Sequence, residues 1–177
     1  MHSCIHAAPA PGSRRRFLQT IALGSGAALL STLPASGARA GQAAVLLLTC
    51  MDYRLANEVV AYMDGRGLRD NYDHVVLAGA SLGALTDRYP EWGKTFRDHV
   101  GIAIALHHIH KVIVIDHRDC GAYRVFLGEA AVGDAAAETA SHTLYLHKLR
   151  DALKADHPEL EVELGIMALD GKVETVS

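Results

Sequence analysis

The sequence predicts an α/β fold: a mostly parallel central sheet with flanking helices and a C-terminal antiparallel hairpin. Three observations predict it. Apolar runs without alternation, at residues 43–48 and 111–116, have the pattern of strands buried on both faces of a parallel sheet. Stretches with helical spacing separate them. Near the end, Asp170-Gly171 stands between two apolar runs, as a hairpin turn does.

Taken in order, the first strand runs into Thr49-Cys50, and residues 54–63 read as a helix. Gly65, Gly67 and Asn71 mark a loop, and residues 74–78 form a second strand stopped by Gly79. Pro90 opens a helix to about His110, with Trp92, Phe96, Val100, Ala103 and His107 at helical spacing. Ile102, Leu106 and Ile109 widen its apolar face, so the helix is expected to be well covered. The clearest strand, 111–116, leads directly into His117-Arg118-Asp119-Cys120-Gly121. Residues 128–138 are Ala-rich and acidic and fit either a loop or a loose helix. A helix at 139–155 is ended by His157-Pro158, and a strand at 161–168 pairs through the turn with residues 173–176.

The first forty residues read as a targeting segment. Ser13-Arg14-Arg15-Arg16-Phe17-Leu18 is a twin-arginine pattern, a mildly apolar stretch follows over 20–33, and Ala38-Arg39-Ala40 is a cleavage site. Gly24, Ser25 and Gly26 break the stretch, which falls short of the ~20 apolar residues of a membrane span. The expectation is a removable signal at 1–40, a single domain at 41–177, and a periplasmic or secreted protein free of the membrane after cleavage. Four of the 17 basic residues (Arg14, Arg15, Arg16 and Arg39) and no acid lie in that segment, leaving 13 basic against 20 acidic residues. A domain with net charge −7 and no basic stripe repels phosphate backbones, which excludes a nucleic-acid partner.

Of three cysteines, Cys4 belongs to the targeting segment, leaving Cys50 and Cys120. In an oxidising compartment two cysteines usually pair. The twin-arginine route carries folded proteins, however, so a metal could cap both thiolates beforehand. Cys50 follows the first strand, and His117 and Cys120 follow the strand at 111–116. The carboxyl ends of strands are where open α/β sheets bind ligands. If those strands are neighbours, two thiolates and an imidazole converge, and Cys2His with an open fourth position is a ligand set of catalytic zinc. In Cys50-Met51-Asp52-Tyr53-Arg54, a carboxylate and a guanidinium two residues apart point to one side of an extended segment and can pair.

With C-x-D-x-R after the first strand and H-x-x-C-G after a later one, the chain resembles the β-class carbonic anhydrases from about residue 43 to the terminal hairpin. The resemblance implies reversible hydration of carbon dioxide to bicarbonate. Zinc held by Cys50, His117 and Cys120 would lower the pKa of its bound water from 15.7 to ~7. Asp52 would then accept a hydrogen bond from the zinc-bound hydroxide, held in place by Arg54. In some members the Asp instead moves onto the zinc and blocks it. A homodimer is the assembly implied.

Three departures stand beside this likeness. Tyr53 replaces a small residue, Val76-Leu77-Ala78-Gly79 replaces R-N-A-G, and only nine residues would precede Cys50 where the family has a helical arm. Hydrolysis of carbonyl sulfide or carbon disulfide, or zinc binding without turnover, are the corresponding alternatives. Two further readings come from local motifs. Gly79-Ala80-Ser81-Leu82-Gly83 matches the G-x-S-x-G elbow of serine hydrolases, though no helix clearly follows. His107 and His110 share a face of the expected helix, with His108 between them; in its last turn they also oppose the helix dipole.

Overall fold

The computed structural model describes residues 43–177, so the targeting segment expected at 1–40 lies outside the described residues. Among the described residues, five strands form one sheet: β1 (Val45–Cys50), β2 (Tyr72–Leu77), β3 (Lys111–His117), β4 (Glu161–Met167) and β5 (Val173–Val176). Their order is β2-β1-β3-β4-β5. The first four run parallel, and β5 returns antiparallel to β4 through the turn at Asp170-Gly171, where Gly171 takes φ +83°.

The continuous apolar runs are explained by two cores. Leu46, Leu48, Val112 and Val114 face one side of the sheet, where they meet α2 (Ser81–Leu85), α3 (Pro90–His107) and α5 (Ala135–Asp156) through Ala84, Phe96, Val100, Leu146, Leu149 and Leu153. Val45, Leu47, Ile113 and Ile115 face the other side and pack on Val59 and Met63 of α1 (Ala56–Gly65). Burying each of these side chains contributes about 1.5–3 kcal/mol, so slipping a strand by one residue would exchange two filled faces at once. The remaining helix, α4 (Gly121–Leu127), follows β3 and packs Tyr123 beneath the sheet end.

β1 and β3 are neighbours, with β2 beyond β1 on the far side. The chain therefore leaves β1 towards one edge and continues from β3 towards the other, which opens a crevice at the carboxyl ends of these two strands.

Several boundaries differ from expectation, each for a local reason. The first helix opens with a 3-10 turn at Tyr53–Leu55, capped by Asp52, before α1 begins. α3 stops at His107 because His108 adopts the left-handed conformation (φ 57°, ψ 37°) as its cap. Its widened face is covered only in part: Ile102 and Leu106 are each 54% exposed, while Ile109, past the end of the helix, is buried in the core. α5 begins at Ala135, four residues before the apolar spacing becomes visible, because the Asp134 carboxylate accepts from the amides of Ala136 and Ala137. A five-residue helix, α2, begins inside the G-x-S-x-G segment at Ser81 and ends two residues beyond it, so no longer helix follows the motif. Gly83 permits it, since a Cβ there would lie 2.4 Å from the Ala78 carbonyl oxygen.

Candidate metal centre

Cys50 ends β1, His117 ends β3, and Cys120 occupies the N-cap of α4. Their donor atoms all lie within 4.8 Å of one another, and among the described residues no other group of three metal-ligating side chains converges in this way. The two Sγ atoms are 3.9 Å apart, against about 2.05 Å in a disulfide. Tetrahedral zinc with Zn–S of ~2.3 Å separates two sulfurs by ~3.8 Å, so the spacing suits a shared metal.

The imidazole is prepared in the same sense. His117 is 1% exposed, and its Nδ1–H donates to the Arg118 carbonyl at 2.9 Å. That bond leaves Nε2 with a bare lone pair, buried and without a protein partner. An unsatisfied buried acceptor is costly, and a cation would satisfy it. The donor set therefore fits zinc: two soft thiolates, one imidazole and no fourth protein ligand.

Electrostatics agree. A hydrogen bond from Cys120 outweighs burial and, with His117 and the Gly79 amide, holds the Cys50 thiol down to about 4. Cys120 is pushed far up, first because it gives that hydrogen bond to Cys50 and then by burial. Without a cation the pair keeps one proton. For His117, burial opposes the charged form, but the Cys50 thiolate outweighs it and the net shift is upward. The Gly79 N–H donates to Cys50 Sγ at 3.3 Å, a contact suited to a thiolate.

Asp52 and Arg54 do pair, although in a turn and not in an extended segment. Arg54 donates from Nε to Asp52 Oδ1 at 3.0 Å and from Nη2 to Oδ2 at 2.8 Å. This fork holds the Asp52 carboxyl at about 2, so it is ionised throughout the neutral range. Asp52 Oδ2 stands 3.9 Å from His117 Nε2, at the edge of the centre. Arg54 also reaches Asp119, through its carboxylate at 2.8 Å and its carbonyl at 3.0 Å, and so ties the segment after Cys50 to the loop between His117 and Cys120. Asp119 was not foreseen as a partner; it takes φ +57° and is held by Glu138, which accepts its N–H at 2.6 Å.

A cleft of about 600 Å³ opens beside Cys50 and Asp52. Its walls are chiefly apolar: Met51, Ala78, Tyr89, Trp92, Val125 and Phe126, with Tyr53 exposed at the rim. Tyr89 stacks on Trp92 at 4.4 Å.

The local rival motifs resolve differently. Ser81 is fully buried, and its hydroxyl donates to Asp116 Oδ2 at 2.7 Å. His142 also donates to Asp116, so no imidazole stands ready to take the Ser81 proton and the elbow lacks its base. His107 lies 2.7 Å from the Asp73 carboxylate, while His110 falls beyond the end of α3, so the two do not share a helix.

The fold and the centre define a class: an α/β protein with a Cys2His set that could hold a metal at the switch point of a parallel sheet. Residues 40–163 match the family described as "Putative carbonic anhydrase", and the chain belongs to that family. It is 42% identical over 135 residues to an uncharacterized protein of Rickettsia conorii, covering 76% of this chain and 73% of that one. A second uncharacterized protein, from Rickettsia bellii, is 40% identical over 135 residues, covering 76% and 82%. The fold is similar to that of the β-carbonic anhydrase CafA of Aspergillus fumigatus, with TM-score 0.55 and 14% identity over 77% of this chain and 76% of that one. CafD of the same fungus, also a β-carbonic anhydrase, gives TM-score 0.52 and 14% identity over 77% and 90%.

Proposed function

We propose that this chain catalyses the reversible hydration of carbon dioxide to bicarbonate, with one zinc ion held by Cys50, His117 and Cys120. The observation that carries the reading is a three-donor site with a fixed carboxylate at its edge, in a chain of the carbonic anhydrase family. Three protein ligands leave one position for a small molecule, whereas a structural zinc site takes four.

When bound, zinc would supply the Lewis acidity that makes water acidic, and hence nucleophilic, near neutral pH. The rest falls to the side chains. Asp52 accepts a hydrogen bond from the reacting water at Oδ2 and so orients it towards carbon dioxide. A carboxyl held at about 2 is a poor proton carrier, so Asp52 positions and does not shuttle. Arg54 keeps Asp52 in place and off the metal. The apolar cleft walls admit an apolar gas and limit competing water.

The same walls favour a second reading. Ala78 lines the cleft, and Val76 and Leu77 bring no polar side chain, which suits carbonyl sulfide or carbon disulfide. Export by the twin-arginine route with cleavage after Ala40, and assembly as a homodimer, complete the proposal. Stopped-flow hydration kinetics test it. Asp52→Ala should lower turnover by about 10²-fold, as loss of one preorganised hydrogen-bonding group does, while zinc content stays at one per chain. Unchanged turnover in that variant, or none in the wild type, contradicts it.

A further inference from the structure

We propose that Asp116, together with Ser81, Tyr123 and His142, is a positioning device that fixes the turn donating to the Cys50 sulfur and the turn carrying Cys120, and thereby sets the strength and geometry of metal binding. The inference rests on the zinc reading above and not on the reaction catalysed.

Asp116 immediately precedes His117 and is 1% exposed. Its Oδ1 accepts from the Ser81 amide at 3.0 Å. Oδ2 accepts from the Ser81 hydroxyl at 2.7 Å, the Tyr123 hydroxyl at 2.6 Å and His142 Nδ1–H at 3.0 Å. Ser81, Tyr123 and His142 are each fully buried, and the Tyr123 and His142 rings lie 3.9 Å apart. Stability alone is a weak reason for such a cluster, since apolar residues of similar shape often serve as well in a core. Its connections supply a better one.

Each donor sits on an element that also holds part of the metal centre. Ser81 closes the turn in which Gly79 (φ +79°) offers its amide to Cys50 Sγ. Between them Ala80 takes φ +40° and ψ −101°, a conformation that residues with a Cβ rarely adopt and that persists only where surroundings impose it. The paired bonds from Ser81 to Asp116 impose it. Tyr123 lies in the first turn of α4, three residues after Cys120. His142 lies one helical turn beyond Glu138, which holds the Asp119 amide in the loop between His117 and Cys120. One carboxylate thus joins α2, α4 and α5 to the end of β3.

The test uses the full chain, freed of metal and loaded with zinc or cobalt, with two readouts that need no turnover: zinc Kd by chelator competition, and the absorption bands of the cobalt form. Tyr123→Phe and Ser81→Ala remove single hydroxyls with little change of shape, and Asp116→Asn alters the hub. Each is expected to weaken zinc binding 10–100-fold, the range for supporting residues around a metal, and to shift the cobalt bands. Phe96→Leu, in the core and remote from the centre, should lower the melting temperature while leaving both readouts at the wild-type value. Ala80→Gly, added to Ser81→Ala, should recover part of the lost affinity by relieving the turn; a packing role predicts further loss. Wild-type Kd and cobalt bands in Tyr123→Phe and Ser81→Ala overturn the proposal. A wild-type chain that binds zinc but does not hydrate carbon dioxide overturns the proposed activity alone, and one that binds neither metal overturns both.

Discussion

Zinc loading should release protons, and the electrostatics of the centre set how many. In the metal-free site Cys50, held at about 4, is already a thiolate at neutral pH, whereas Cys120 is held far above the ordinary thiol range and stays protonated. His117 is shifted upward from 6.5. Zinc takes two thiolates and a neutral imidazole, so it displaces one proton from Cys120 at any pH near neutrality. Below the pKa of His117 it displaces a second. Each displaced proton makes affinity rise tenfold per pH unit, about 1.4 kcal/mol. Binding therefore strengthens as pH rises, about a hundredfold per unit on the acid side of His117 and about tenfold per unit on its alkaline side. Chelator competition at a series of pH values measures the slope, and an indicator dye in weak buffer counts the protons directly. A flat profile is the contrary result: it would mean that zinc does not compete with protons for these three side chains.

Gly79→Ala should lower the melting temperature by about 4–8 °C, since a left-handed residue with a Cβ costs about 1–2 kcal/mol. The added atom would also lie 3.1 Å from the Ala122 Cβ, so zinc affinity should fall with stability. Cys50→Ser and His117→Ala should each lose zinc by elemental analysis; if the cysteines instead formed a disulfide, His117→Ala would be nearly silent and reduction would destabilise the fold. Replacing Arg14, Arg15 and Arg16 by Lys should retain the protein in the cytoplasm, and undiminished export of that variant would remove the twin-arginine assignment.

The centre of the sheet was legible because β1 and β3 are buried on both faces, which leaves uninterrupted runs such as Val-Leu-Leu-Leu and Val-Ile-Val-Ile that no surface helix would carry. Asp170-Gly171 likewise announced the terminal hairpin. The convergence of the three candidate ligands could be read because Cys50 and His117 each end a strand and Cys120 follows His117 by one short turn, at the N-cap of α4. What escaped notice depends on backbone detail or on distant partners. His108 ends α3 in a left-handed conformation that Gly or Asn more often supplies, and α2 is too short to show a period. Asp134 was a legible N-cap signal, hidden by the lack of apolar spacing in the Ala-rich turn that follows. Asp116 read simply as the end of a strand, although a carboxylate closing a fully buried run must find donors, and that was the available signal. Asp119 gave none: only the fold brings it to Arg54, 65 residues away.

On the proposed reading, a zinc ion at Cys50, His117 and Cys120 makes this chain a carbonic anhydrase. Hydration of carbon dioxide, followed by stopped flow while zinc is titrated into the metal-free protein, tests it most directly. The rate should rise in proportion to zinc, level at one zinc per chain, disappear on chelation and return on reloading. A chain that takes up its zinc and leaves carbon dioxide hydrating at the uncatalysed rate would contradict it.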